Sequence, residues 1–231
     1  MSNEPSGHRV SMKHVASQFV EAARWVRESI SKLSIRRDSA PIDSVERVCH
    51  FARTRAALIS QKKLYGYLKE RMGTRYPKMF TDEIFVQSIN VAKLHVYAAS
   101  LADLTCFCVA NATGDPAFTN DDRDRIAREC FRAGIEENTG EASQADRQAW
   151  IDAFDSRLAK TVWSMRRAGG QHFIECGPAL IRWAPIAEEL KRYDREIVEN
   201  SIRYAFVEVR TDFLNRLDGV AVAGDWRRIE G

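Results

Sequence analysis

The stretch IFVQSINVAKLHVYAASLADLTCFCVANA, residues 84–112, carries a full charge only at Lys93 and Asp103. A helix that is apolar nearly all round has no face to give to water, so it belongs at the centre of a bundle. Thr81-Asp82-Glu83 just before it supplies an N-cap and sets acids at the positive end of the helix. The window Leu94 to Ala112 is long enough to weigh as a membrane span. Asp103 inside it and His95 near its start favour a buried central helix instead. A chain organised around such a helix is expected to be all-α, an up-and-down multi-helix bundle with long N- and C-terminal helices.

Working outward toward the N-terminus, Gly73 is placed to end a preceding helix as a left-handed cap, and Asp43 with Glu46 to begin it. Ser39-Ala40-Pro41 separates that helix from an earlier one. From Met12 to Leu33 the apolar positions Met12, Ala16, Phe19, Ala23, Val26, Ile30 and Leu33 step by four and three without a miss. That is a heptad seam on a helix of about six turns.

Toward the C-terminus, Gly114-Asp115-Pro116 marks a turn, and Thr119 with Asp122 caps a helix that reaches about Glu136. Ser143 with Asp146 caps the next, whose face reads Trp150 or Ile151, Phe154, Leu158, Val162 and Met165 and which Gly169-Gly170 closes. Gln171 to Cys176 is the one segment with extended character. Pro185 to Leu217 is expected to be one long helix. Its seam is read as Ile186, Leu190, Tyr193, Ile197, Asn200, Tyr204, Val207, Thr211 and Leu214. The domain reading is a disordered N-terminus over 1–11, one bundle over 12–219, and a tail over 220–231 anchored by Trp226.

Hydrophobic residues make up 45% of the chain and charged residues 29%, which places it in the folding rather than the disordered regime. The five cysteines are an odd number at irregular spacings, so a disulfide framework is not expected and a reducing cytoplasm is. The first eleven residues lack a basic head followed by an apolar stretch, so no secretion signal is expected.

Charge is segregated. From Arg47 to Phe80 there are nine Lys or Arg against one acid, and from Asp121 to Asp155 ten acids against five bases. On a continuous helix Arg47, Arg55, Lys62 and Lys69 fall on one stripe, and the continuation through Arg75, Tyr76, Lys78 and Phe80 interleaves rings with cations. Such a face suits an acidic protein surface, an anionic membrane or nucleic acid. The plain alternative is neutralisation by the acidic segment of the same molecule.

His50, in Cys49-His50-Phe51-Ala52-Arg53-Thr54, bears a partial likeness to the phospho-accepting helix of sensor histidine kinases. Phe51 stands where an acid is needed and Arg55 where a proline is usual, so it is read as a histidine beside a core face. His95 and Asp103 are polar insertions in the apolar helix, and Asp103 is expected to meet a base or hydroxyl from a neighbour, in the core or in a pocket. The loop holding His172, Glu175 and Cys176 could supply base, orienter and nucleophile, or be an incidental connection. No metal and no cofactor are expected. A di-iron bundle needs Glu three residues before His, yet those positions hold Pro5, Ser11, Arg47, Ala92 and Gly169. Phosphate-loop, dinucleotide and nucleophile-elbow motifs are absent. Asn200 in the C-terminal seam raises homodimerisation through that helix.

Thr54-Arg55-Ala56-Ala57, together with Leu64-Tyr65-Gly66-Tyr67-Leu68-Lys69-Glu70-Arg71-Met72-Gly73-Thr74-Arg75-Tyr76, resembles a conserved hypothetical family of alphaproteobacterial helical proteins. The resemblance implies a bacterial, cytoplasmic chain and assigns no functional residue. The leading expectation is a non-enzymatic adaptor or assembly factor that binds an acidic protein or anionic membrane through the basic aromatic face. An RNA- or DNA-binding protein using that face, and a small-molecule hydrolase, are the alternatives.

Overall fold

Short polar side chains decide where the helices start. A computed structural model describes residues 38–166 and 173–230, which form an all-α multi-helix bundle. Its elements are α1 (Val45–Met72), α2 (Tyr76–Met79), α3 (Glu83–Ala112), α4 (Asn120–Asn138), α5 (Gln144–Leu158) and α6 (Trp163–Arg166). They continue with α7 (Cys176–Trp183), α8 (Glu188–Lys191), α9 (Arg195–Arg216) and α10 (Gly219–Glu230). Among the described residues the only β pairing is a single parallel bridge between Ile42 and Leu217. The expected helix over 12–33 and the expected disordered 1–11 lie outside the described residues.

Asp82 accepts the backbone N–H groups of Ile84 and Phe85 and starts α3. Thr119 and Asp122 form a reciprocal capping box on α4, and Ser143 accepts the N–H of Asp146 on α5. The start of α1 differs from the expectation by one residue. Ser44, in extended backbone, accepts the N–H of Arg47, and the Val45 N–H goes to the Asp225 carboxylate of α10 at 3.0 Å. Gly73 does end α1 with a positive φ of 52°, but its ψ of −128° leads into a 3-10 turn rather than a left-handed cap.

The central position of α3 is as expected: it packs chiefly against α1, α4 and α7. By length and composition α3 could cross a membrane, yet 78% of its most apolar window is buried inside the protein. An aromatic column ties it to its neighbours. Phe107 of α3 meets Phe213 of α9 at 5.7 Å and Phe173 at 5.8 Å, and Phe213 meets Phe51 of α1 at 5.0 Å.

The C-terminal third departs from the sequence reading. Pro185–Leu217 is not one helix but α8 and α9, separated by a turn that buries Asp194. That carboxylate accepts the Tyr67 hydroxyl at 2.5 Å and the Arg71 Nε at 2.6 Å, both from α1. Tethering the chain there prevents one straight helix. The seam is inverted as well. Val198, Ile202, Phe206, Val209 and Phe213 face the core, whereas Ile197, Tyr204, Val207 and Leu214 are exposed. The expected tail over 220–231 is largely the helix α10, held by Val222 and Ala223 as well as Trp226.

Helix α5 stops at Leu158 rather than running to Gly169. The N–H groups of Ala159, Lys160 and Thr161 fold back onto Asp155, Arg157 and Leu158, and the chain turns to bury Trp163. The Trp163 indole N–H donates to Asp124 at 2.8 Å. Val162, expected on the apolar face, is exposed.

Helix α4 approaches α3 closely at Gly134. A Cβ there would lie 2.7 Å from a Leu101 methyl, and the Gly134 carbonyl accepts the Tyr97 hydroxyl at 3.0 Å. Removing a helical glycine ordinarily stabilises a helix by up to about 1 kcal/mol. Here the overpacking dominates: Gly134→Val is expected to lower unfolding free energy by about 1–3 kcal/mol. Urea denaturation of the variant beside the unmodified protein checks this.

Candidate functional site

Three clasps set the basic helix against α9, and they run in opposite order along the two helices. Arg55 donates to Asp212 at 2.6 Å, Lys63 to Ser201 at 2.8 Å, and Arg71 to Asp194. Helices α1 and α9 are therefore antiparallel. Other cations of the basic stretch are also used internally. Arg47 pairs with Asp38 at 2.6 Å, and Arg53 with Glu46 and Glu137, each at 2.9 Å. Of these partners only Glu137 comes from the acidic 121–155 segment. Within that segment Asp122 pairs with Arg125, Asp124 with Arg128, and Asp155 with Arg128 and Arg132.

Lys62, Lys69, Arg75 and Lys78 form no ion pair with a described residue, and all four are exposed. Lys62 and Lys69 lie two turns apart on α1, Arg75 on the 3-10 turn that follows it, and Lys78 in α2. The rings between them are not free to stack on a ligand. Tyr76 packs edge-on against Phe80 at 5.1 Å, and Phe80 against Phe85 at 5.9 Å. Tyr65 is packed on the core, and burial pushes its hydroxyl up to about 12. The face expected from Arg47 to Lys78 thus divides, with Arg47 and Arg55 spent inside the fold and three lysines and Arg75, from Lys62 onward, left exposed without an ion pair to a described residue.

Asp103 lies at the bottom of a second feature. It has no exposed surface, and it accepts Arg157 Nη1 at 2.9 Å. It also accepts the backbone N–H groups of Ile174, Glu175 and Cys176 at 3.2, 3.1 and 3.0 Å. The carboxylate caps the start of α7 from another helix, an arrangement no local spacing could announce. Burial raises its pKa to about 6, and the Arg157 charge and these hydrogen bonds oppose the rise.

Above it opens a cleft of about 310 Å³ between α3, α5 and α7. His95 stacks on Trp183 with ring centroids 3.4 Å apart and 3° between planes, and its Nδ1 accepts the Trp150 indole N–H at 3.1 Å. That bond assigns the proton of the neutral ring to Nε2. Desolvation lowers the pKa of His95, with Asp146 opposing and Arg182 adding to the fall. Ala98, Ala99 and Ala102 leave the room, and Arg157, Arg182 and Glu175 supply charge. Trp183, Arg157 and Arg182 are not among the residues picked from sequence, and Trp150 is picked only for the apolar face of its helix. The isolated tryptophans were the one signal, and neither reveals a partner.

The thiol of the candidate loop is not poised for attack. Cys176 is fully buried, accepts the Ser100 hydroxyl at 3.0 Å, and burial pushes its pKa up to about 12. Glu175 sits at the cleft edge, 3.8 Å from Arg157, and His172 lies outside the described residues. Among the described residues no group of three or more His, Cys, Asp or Glu could hold a metal ion. His50 is half-buried on α1, where its carbonyl accepts the Thr54 hydroxyl. Among the described residues the reactive groups that line the cleft are the His95 imidazole and the Glu175 carboxylate; the rest of its lining is aromatic, small apolar or guanidinium. No family model, no curated protein and no solved structure matches this chain.

Asp103 generates a pH signature. Its folded pKa of about 6 lies above its unfolded value near 3.8, so the folded state binds the proton more tightly between them. Its contribution is therefore fully present below about pH 4 and is lost as pH rises through about 6. Relative to Asp103→Asn, the unmodified protein should lose on the order of 3 kcal/mol of stability from acid to neutral pH. Denaturant midpoints of both proteins across that range measure it.

Proposed function

We propose that this protein is a non-enzymatic helical adaptor of the cytoplasm that docks an acidic protein surface on the exposed cations Lys62, Lys69, Arg75 and Lys78. The observation that carries the reading is the division of the basic stretch. A fold that neutralises Arg47, Arg53, Arg55 and Arg71 internally yet leaves these four cations exposed, with no ion pair among the described residues, presents positive charge to its surroundings. Complementary charge accelerates encounter and selects against like-charged partners.

An acidic protein is favoured over nucleic acid and lipid because of the rings. Stacking on bases, or wedging into a bilayer, needs aromatic faces that can leave the protein. Tyr76, Phe80 and Phe85 are engaged with one another in an edge-on series instead. The buried state of all five cysteines as free thiols supports a reducing compartment. The hydrolase alternative has less support, since Cys176, the nucleophile of the candidate loop, is sealed in the core.

The test is charge reversal with defined probes. A variant carrying Lys62→Glu, Lys69→Glu, Arg75→Glu and Lys78→Glu should bind a polyglutamate peptide at least about tenfold more weakly, about 1.4 kcal/mol. It should also lose the proteins that co-purify with the unmodified chain from its native cell. Unchanged binding and co-purification sink the reading. Retention on phosphatidylserine vesicles or single-stranded RNA that exceeds retention on the peptide, and that the reversal abolishes, replaces it with the membrane or nucleic-acid alternative.

A further inference from the structure

Small side chains meet where three helices converge. Ala98, Ala99 and Ala102 share one face of α3, Ala153 lies on α5 and Ala179 on α7, and between them the cleft of about 310 Å³ stays open. Protein interiors are otherwise filled to crystal-like density, with few voids larger than a water molecule. Pockets from roughly 300 Å³ upward hold small organic ligands, so this cleft has the size for one.

Its walls are rings. Phe131 and Phe154, stacked with centroids 4.1 Å apart, line it together with His95, Trp150 and Trp183. Aromatic faces are negative and aromatic edges positive, so a lining of this kind is best met by another flat ring, set offset or edge-on. An aliphatic guest of the same volume would gain burial but not that pairing.

Two donors at the cleft have no described partner. His95 spends Nδ1 on the Trp150 indole, which leaves its Nε2–H, and no described group accepts it. Arg182, exposed at the mouth, closes no ion pair and donates no hydrogen bond to a described residue. Its guanidinium carbon lies 5.2 Å from the centroid of the Trp183 ring, the same ring on which His95 is stacked. The two donors therefore flank one indole.

The other charges nearby are engaged. Arg157 is held by Asp103 at 2.9 Å and lies 3.8 Å from Glu175. Asp146, the acid that acts on His95, accepts the Ser143 hydroxyl at 2.7 Å. A cation and an N–H donor beside one ring call for an anionic acceptor, and a carboxylate offers two oxygens to them.

We infer that this cleft binds a small planar aromatic carboxylate, its ring among Trp150, Trp183, Phe131 and Phe154 and its carboxylate on Arg182 and the His95 Nε2–H. None of the four exposed cations from Lys62 to Lys78 lines the cleft, so the site is separate from the docking face.

The test is calorimetric titration of the full chain with 2-naphthoate. Two comparison probes accompany it: 2-naphthamide keeps the rings without the charge, and cyclohexanecarboxylate keeps the charge without the rings. The naphthoate should bind saturably and at least about tenfold more tightly than either. Arg182→Gln, at an exposed position, should cancel the advantage of the acid over the amide, and Ala99→Phe, which fills the cleft, should abolish binding of both. In the unmodified chain the indole N–H resonance that Trp150→Phe removes should shift as the naphthoate is added. Where Ala99→Phe fails to fold, Arg182→Gln and the Trp150 resonance decide. No saturable binding at millimolar naphthoate, an acid bound no more tightly than its amide, or an affinity untouched by Arg182→Gln overturns the inference. Saturable binding that leaves the Trp150 resonance unmoved places the ligand elsewhere and overturns it too.

Discussion

A carboxylate with no exposed surface stands in the middle of the most apolar helix of the chain, and the arrangement of the surrounding elements answers its needs. Asp103 takes one guanidinium N–H from Arg157 on α5 and the N–H groups that open α7. An isolated charge in that position would be prohibitively costly, and removing a single partner from such a buried pair typically costs about 3–5 kcal/mol. Two elements, α5 and α7, are thereby fixed relative to α3 by one side chain. The interaction is a device of position more than of net stability, since desolvation offsets most of the attraction. It also sets the floor of the cleft, because Arg157 reaches it from α5 and Glu175 from the chain entering α7.

The same economy governs the basic helix. Its charge looks, in the sequence, like an advertisement for an external anion, but four of its arginines close contacts within the fold. Arg55 and Arg71 reach acids on or just before α9, Arg53 reaches Glu137 on α4, and Arg47 meets Asp38. Asp194 is the most consequential of these acids. It breaks what periodicity alone would continue as one helix, and it does so with Tyr67 and Arg71 of α1.

Local physics was legible and tertiary choice was not. Asp82, Thr119 with Asp122, and Ser143 cap their helices as read, because a cap is decided within four residues. The central place of residues 84–112 was legible because no other location hides a helix apolar all round. The seam of α9 was misassigned for an equally physical reason. Steps of three and four occur on both of its faces, and nothing within the helix states which stripe meets the core. The cleft was half legible: His95 and Asp103 stand out as polar residues in an apolar run, but Trp150, Trp183 and Arg157 join them only through packing. A contact such as His95 on Trp183 has no signature in spacing.

Which cations the fold spends and which it leaves is itself informative. The clasps that close on carboxylates use arginines, whose planar fork can hold two acids at once, as Arg53 holds Glu46 and Glu137. The residues left over are lysines with one arginine, on flexible stems that carry a hydrated point charge. Such side chains recognise the sign and density of a partner's charge more than its geometry, and their long stems lose entropy when held in one place. A surface built from them suits encounters that must form and dissolve readily. The arginine clasps of α1 have a separate task, which is to hold that helix against α9 and α4.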